Sequence, residues 1–349
     1  MESALQSIWF FLWGLLWAVF FMTDGFDLGV GTLLPFLGKS DTDKRMMINS
    51  IGPLWDGNEV WLITAGGVTF AAFPTVYAFM FSSLYTPLLL ILFALIIRGV
   101  SFEFRGKVES AAWKKLWDTC IFIGSVTPAI LFGVAFANIF QGLPFDRSVI
   151  HGELIYHGDL ISLLNPYGLL GGALFLMLFL VHGALWLTIR VSGELQERAD
   201  SAANKLWFVL TVVAVLFLGT TYVFTPLYNN YLASPLLFIV PLITVCALFG
   251  IKFLLIKKSY IKAWLSSAVT IVSAIFFCII GLYPNMFPSN VDSAYSLTAH
   301  NASASLLTLK IMLVVVLVFI PIVIGYQVWA YYMFSDRITI EDMASEEAY

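Results

Sequence analysis

Charge is what this 349-residue sequence has least of. Asp, Glu, Lys and Arg together make up 11% of it, against about a quarter in a soluble domain. That excludes an ordinary water-soluble enzyme or binding module. No basic stretch is dense enough to meet nucleic acid, and the net charge of -4 selects no partner. Cysteine is equally sparse: Cys120, Cys246 and Cys278 lie in or beside apolar runs without metal-ligand spacing, and are expected as small core residues. There are four histidines. His151, His157 and His300 fall in connections or at their edges, and His182 stands alone in an apolar run. A bis-histidine haem needs two ligands facing each other at one depth, and no such pair is evident, so neither haem nor metal is expected on this chain. A phosphate-cradling loop is missing, as is a nucleophile with an activating partner, so self-contained catalysis is not expected. The first apolar block is too long and too aromatic for a signal peptide. It runs into Asp24, not a small-residue cleavage site, and is read as a retained span.

What is abundant is apolar sequence. Sixty per cent of the residues are hydrophobic, and they come in blocks of about 20, the length of helix that crosses a hydrocarbon core. Helices, which satisfy their own backbone in lipid, are expected over strands. The fold class is therefore all-α: a polytopic membrane bundle forming one domain over 1–349. Nine helices are placed near 8–36, 53–73, 76–98, 118–140, 166–188, 207–225, 236–256, 264–282 and 306–330, with a tight hairpin at Phe73-Pro74-Thr75. Basic residues sort onto one side. Lys39, Lys44 and Arg45 follow the first helix. Arg105, Lys107, Lys114 and Lys115 follow the third, with Arg98 at its end. Arg190, Arg198 and Lys205 follow the fifth, and Lys257, Lys258 and Lys262 the seventh. The alternate connections carry only Arg147. This positive-inside pattern places the N-terminus outside and the C-terminus in the cytoplasm, which requires an odd number of spans.

Ionisable residues within spans are costly and mark function. Here they gather on one side of the membrane. The first helix carries Asp24 and Asp27, the second opens with Trp55-Asp56-Gly57-Asn58-Glu59, and the third ends with Glu103 and Lys107. Asp24 lies about 24 Å along the first helix, toward the cytoplasmic side, where the other two sets also sit. Asp24 and Asp27 share a helix face, as do Asp56 and Glu59. Glu103 and Lys107 would pair at i,i+4 if their helix continues. Gly25, Gly29, Gly57 and Gly66 leave room for close helix approach or for water. Carboxylates, a lysine and an asparagine beside such space suit proton hopping. The same residues read individually as helix caps, first-turn acids and headgroup-level charges. Trp113, Trp117, Trp329, Tyr331 and Tyr332 read as an interfacial aromatic belt. Apolar surface between helices could hold a lipid or a quinone tail.

The motifs resemble those of subunit II of the cytochrome bd-type quinol oxidases. Thr23-Asp24-Gly25-Phe26-Asp27-Leu28-Gly29-Val30-Gly31 is similar to the family's first-helix motif. Asn49-Ser50-Ile51-Gly52-Pro53 leading into Trp55-Asp56-Gly57-Asn58-Glu59-Val60-Trp61 is similar to its second. Gly133-Val134-Ala135-Phe136-Ala137-Asn138, Asn165-Pro166-Tyr167-Gly168 and Tyr283-Pro284-Asn285-Met286 fit later elements. The resemblance is dense over about 20–170 and looser but continuous afterwards. It implies a bacterial or archaeal cytoplasmic-membrane complex that oxidises quinol and reduces oxygen to water. It implies a partner, subunit I, carrying two b-type haems and one d-type haem, and it allows small single-helix accessory subunits and bound lipid. It further implies a cytoplasmic proton route including Asp56, Glu103 and Lys107. The family's third-helix acid is often aspartate, and Glu103 lengthens that arm. The glutamine after the asparagine in the second-helix motif of some members is Glu59 here, an added titratable group.

Two other classes compete. A proton-coupled secondary transporter would suit buried acids at glycine-rich helices, but no inverted repeat or midplane substrate site is evident. A haem-bearing electron carrier would need paired histidines. The topology is open to test: reporter fusions at Tyr349 and within 283–305 should give opposite signals, and matching signals would end the nine-span scheme.

Overall fold

The computed structural model describes residues 2–148 and 152–344; His151 and Tyr349 lie outside the described residues. Helices dominate. They are α1 (Glu2–Leu37), α2 (Asp41–Ile51), α3 (Trp55–Ala72), α4 (Pro74–Ser83), α5 (Tyr85–Phe104), α6 (Ala111–Gln141), α7 (Leu160–Leu163), α8 (Pro166–Arg190), α9 (Gly193–Phe224), α10 (Asn229–Ala233), α11 (Ile239–Ile256), α12 (Tyr260–Leu282) and α13 (Leu306–Met333). Eight of them are long and apolar enough to cross a membrane: α1, α5, α6, α8, α9, α11, α12 and α13. The ninth expected span corresponds to α3. Its 18 residues include Asp56 and Glu59 near the start, and it is not among the eight.

Several boundaries differ from the hydropathy reading, each for a physical reason. The expected helix 76–98 is two segments, α4 and α5, broken at Leu84. Pro87 lies three residues on and has no N–H to offer the Ser83 carbonyl, so the ladder opens there. α5 then runs on to Phe104, beyond the expected end at 98, and tightens into a 3-10 turn over Arg105–Lys107. α6 starts at 111 rather than 118 and α9 at 193 rather than 207. Both extensions are polar turns that stay helical outside the apolar stretch, which hydropathy alone does not register. α2 was not expected at all. It is too short and polar to register as a span, and a capping box fixes its start: Ser40 Oγ accepts from the Asp43 N–H, and Asp43 accepts from the Ser40 N–H.

α1 is the axle. It packs against α3, α6, α8 and α12, and glycine lets some of these contacts reach backbone distance. A Cβ on Gly29 would overlap the Phe179 carbonyl and lie 3.1 Å from Gly183 Cα on α8. Gly133 meets Gly171 and Gly172 the same way, so α6 and α8 also cross closely. Gly57 and Gly66 are different, since nothing stands within 4 Å of a Cβ there. Beyond the acids, Trp17, Phe21, Phe132, Phe136 and Phe175 interlock in edge-to-face and stacked pairs, with the edge-to-face Phe21–Phe175 centroids 5.0 Å apart and Trp17–Phe136 5.3 Å. α13 lies at the edge, its apolar side chains mostly exposed.

The two large connections form a joint cap. β1 (Phe145–Arg147) pairs with β2 (Leu154–Tyr156), and β3 (Asn285–Phe287) with β4 (Leu297–Thr298), both antiparallel. Leu143 N–H donates to the Pro288 carbonyl at 2.9 Å, and Asn290 N–H donates to the Leu143 carbonyl at 3.0 Å. These bonds knit the two connections together, and Leu143, Phe145, Met286 and Phe287 are buried in the same core as the helices. Below it, Asn165 opens α8. Its side chain accepts from Gly168 N–H at 2.9 Å, and its amide donates to Asn138 Oδ1 at 2.8 Å.

The glycine contacts make a prediction. Gly29→Ala should destabilise the purified protein by roughly 1–3 kcal/mol or more through overpacking of α1 on α8, whereas Gly66→Ala should be close to neutral. Thermal unfolding in mild detergent separates the two, and equal melting temperatures would contradict this packing.

Candidate functional site

A charge buried among apolar helices must be paired. The fold meets that need with one arginine. Asp24, Asp27 and Arg98 have no exposed surface. One guanidinium nitrogen, Arg98 Nη2, donates to Asp24 Oδ1 at 2.8 Å and to Glu59 Oε2 at 3.4 Å. Gly124 on α6 makes this reach possible, since a Cβ there would lie 2.6 Å from the Ala94 carbonyl and 2.8 Å from Arg98 Cβ. Asp27 is held separately: Asn58 Nδ2 donates to its Oδ2 at 2.7 Å. Asn58 Oδ1 in turn accepts from Tyr331 OH at 2.7 Å and from Gln327 Nε2 at 3.4 Å. Trp61 Nε1 donates to Gln327 Oε1 at 2.8 Å. Four helices, α1, α3, α5 and α13, are joined in this one network.

The network's stoichiometry matters chemically. Three carboxyl groups, Asp24, Asp27 and Glu59, face one guanidinium. The acids of the cluster therefore outnumber its one cation. Asp24 Oδ2, Asp27 Oδ1, and Arg98 Nε and Nη1 have no protein partner. Asp24 and Asp27 are not merely caps of a broken helix, because α1 runs unbroken through both.

Of the residues singled out from sequence, Asp24, Asp27, Asn58 and Glu59 come together. Asp56, Glu103 and Lys107 do not join them. All three are exposed, and among the described residues none makes an ion pair. Glu103 and Lys107 do not form the expected i,i+4 pair, because the α-helix ends at Phe104 and the 3-10 turn swings Lys107 off that face. The three are nonetheless near the cluster in the fold. Trp55 packs on Gly99 and Phe102, which holds the start of α3 against the end of α5. Asp56 is close enough to Glu59 for their charges to interact.

Sequence reasoning passed over Arg98, Gln327 and Tyr331. Arg98 enters the sequence reading only as a basic residue at the end of the third helix. Its place inside the run Ile96-Ile97-Arg98-Gly99-Val100, six residues before the helix end, was the signal that it is internal. Tyr331 was assigned to an aromatic belt, but its hydroxyl points inward to Asn58. Tyr332 beside it, 75% exposed, does face outward.

A second, peripheral set of ions lies where α2, α5 and α6 meet. Arg105 Nε donates to Asp118 at 2.6 Å and its Nη2 to Asp41 at 2.7 Å, while Lys44 meets Asp118 at 2.9 Å. Burial pushes the Asp41 carboxyl up, but the hydrogen bonds and charges of Arg105 and Lys114 outweigh it and hold Asp41 below the usual range.

His182 is fully committed to protein. Nδ1 bonds Ser267 Oγ at 2.5 Å, Nε2 bonds the Met22 carbonyl at 3.0 Å, and the ring stacks on Trp264 with centroids 5.2 Å apart. His157 pairs with Asp146, and His300 with Gln6. The described histidines thus present no facing pair for a haem iron. Among the described residues there is also no group of three or more His, Cys, Asp or Glu that could hold a metal.

The sequence model of the family described as "Cytochrome bd terminal oxidase subunit II" matches residues 5–334. The chain belongs to this family. It is 37% identical over 340 residues to the cytochrome bd ubiquinol oxidase subunit 2 of Bacillus subtilis strain 168, covering 97% of this chain and 98% of that protein. It is 38% identical over 370 residues to the cytochrome bd-I ubiquinol oxidase subunit 2 of Escherichia coli K12, covering 98% and 97%. In fold it matches a chain from the bd oxidase structure of Geobacillus thermodenitrificans, with a TM-score of 0.77, 14% identity, and 95% of this chain and 98% of that one covered. As a member of the family the chain is a multi-pass membrane subunit of a terminal oxidase.

Within that assignment, the hydrogen bonds of His182 predict a purely structural role. His182→Ala should leave every haem absorption band of the assembled oxidase in place. Loss of one band from an assembled complex would overturn this.

Proposed function

We propose that this chain is the haem-free subunit of a quinol oxidase and conducts protons from the cytoplasmic side toward the oxygen-reducing centre of its partner. In this reading the b- and d-type haems and the site of quinol oxidation belong to subunit I. Small accessory helices, quinol and oxygen are partners of the complex, and the N-terminus is outside with the C-terminus in the cytoplasm. The family assignment and the names of the relatives support the oxidase role. The basic residues on one set of connections support the orientation.

The buried cluster carries the proton reading. Reducing oxygen to water consumes protons, so an oxidase must admit them to a low-dielectric interior. Each step needs a group that accepts and releases a proton within hydrogen-bond reach, or holds the water that does. Asp56 is the entry acid. It is exposed at the start of α3, which Trp55 holds against the end of α5, the helix that carries Glu103 and leads into the turn of Lys107. Glu59, three residues along the same helix, is partly buried and meets Arg98. From Glu59 the Arg98 guanidinium leads to Asp24. Asn58, bonded at once to Asp27 and Tyr331, holds Asp27 in place on the same helix face. Arg98 stays charged and positions the carboxyls, while they exchange the protons. Glu103 and Lys107 act before Asp56, as exposed groups that gather protons from water.

Asp56→Asn tests the entry step, because asparagine keeps the shape and hydrogen bonding but cannot carry a proton. The assembled variant, with a normal haem spectrum, should consume oxygen at least about tenfold more slowly with saturating quinol, and Asp56→Glu should recover part of that rate. Wild-type turnover and wild-type proton uptake in Asp56→Asn would refute the assignment.

A further inference from the structure

The peripheral ion cluster encloses a cleft of ≈ 540 Å³ between the end of α1, the start of α2 and the start of α6. Its three carboxylates are all engaged. Asp118 is held by Lys44 and Arg105, Asp41 by Arg105 and Lys114, and Glu109 by Lys114 at 3.0 Å. Two further lysines line the same cleft, Lys39 and Lys115, and neither ammonium meets a carboxylate among the described residues. The cleft is therefore cationic after its internal pairs are satisfied. The positive end of the 31-residue α6, whose cap residue Ser110 makes no side-chain capping bond, adds to the same field.

An apolar wall continues from this charge. Phe36, three residues before Lys39, is 60% exposed and meets Phe122 edge-on at 6.0 Å. Phe122 is seven residues beyond Lys115, on the same face of α6 and about 10 Å deeper along its axis. Leu116 and Ile123 on α6 are also about half exposed, at 53% and 49%. A cationic cleft lying above the exposed Phe36 and the half-buried Phe122, at the end of membrane-crossing helices, fits an amphiphile whose anionic head and apolar tails are about this far apart.

We propose that this cleft binds the phosphate of an anionic phospholipid, with Lys39 and Lys115 neutralising the headgroup and Phe36 and Phe122 receiving an acyl chain. Free phosphate shares the headgroup chemistry but makes no use of the apolar wall. Bound here, the lipid joins α1, α2 and α6 at the end of the bundle that also carries Asp56, Glu103 and Lys107. The inference concerns residues outside the proton cluster and stands apart from that reading.

The test uses the purified, delipidated oxidase complex and native mass spectrometry. Phosphatidylglycerol should bind with an affinity at least about tenfold above phosphatidylcholine. Lys39→Gln/Lys115→Gln should erase that preference, since each lysine near a headgroup contributes about a fivefold factor. Lys205→Gln, a lysine away from the cleft, should leave the preference intact, and a normal haem spectrum reports assembly. Phe36→Ala should weaken long-chain but not short-chain phosphatidylglycerol. Inorganic phosphate should compete poorly with the long-chain lipid. Equal binding of the two lipids would overturn the proposal, as would an unchanged preference in the double variant or an equal loss in Lys205→Gln. Full competition by inorganic phosphate would replace the lipid with a free anion and overturn it equally.

Discussion

One guanidinium, sealed among apolar helices, sets the terms for the rest of this bundle. Arg98 cannot stay there uncompensated, because an unpaired buried charge costs several kcal/mol. It recruits Asp24 from α1 and Glu59 from α3, and this ties α1, α3 and α5 together at one depth. The glycines follow from the same demand. Gly124 lets α5 approach α6 closely enough for Arg98 to reach inward, and Gly29 lets α1 lie against α8 while its acids face the other way. α13, otherwise an outlying helix, is drawn in by the polar contacts of Gln327 and Tyr331 with Asn58 and Trp61.

The same constraint produces the chemistry. A simple structural ion pair would need one acid. Here three carboxyls lie around one cation, two of them bonded to it, and in the proposed reading the surplus acids are the groups that change protonation state. The edge of the cluster lies toward Glu59, whose side chain is 17% exposed, and the exposed Asp56 is on the same helix. The gradient from exposed to buried acid therefore runs along α3, the helix whose polarity keeps it from qualifying as a span on composition alone. In the proposed reading, its departure from apolarity is what admits protons.

Much of this could be read from residue order, and the limits of that reading are physical. Hydropathy found the apolar centres of the long helices, because lipid exposure and core burial both demand apolar side chains. It could not find their polar ends, as at Gly193–Lys205 of α9, nor the short α2, because outside the hydrocarbon nothing forces a helix to be apolar. The motif Trp55-Asp56-Gly57-Asn58-Glu59 announced a site, but not that Asn58 and Glu59 turn inward while Asp56 faces out. That depends on how α3 is rotated against α1. Arg98 and Tyr331 resemble interfacial residues because both lie near helix ends, and only the packing shows that their polar atoms point to the centre. Glu103 and Lys107 looked like a helical pair because spacing cannot reveal where an α-helix tightens into a 3-10 turn.

In the proposed reading, the carboxyls around Arg98 hold exchangeable protons. The most direct measurement is the infrared difference spectrum of the assembled oxidase between its oxidised and fully reduced states, in the region of the carboxylic C=O stretch, for the native complex and for Asp27→Asn and Glu59→Gln. The account predicts a carboxylic band change on reduction that is diminished in each variant while the haem spectra stay intact. A carboxylic region identical in the native complex and both assembled variants would contradict it.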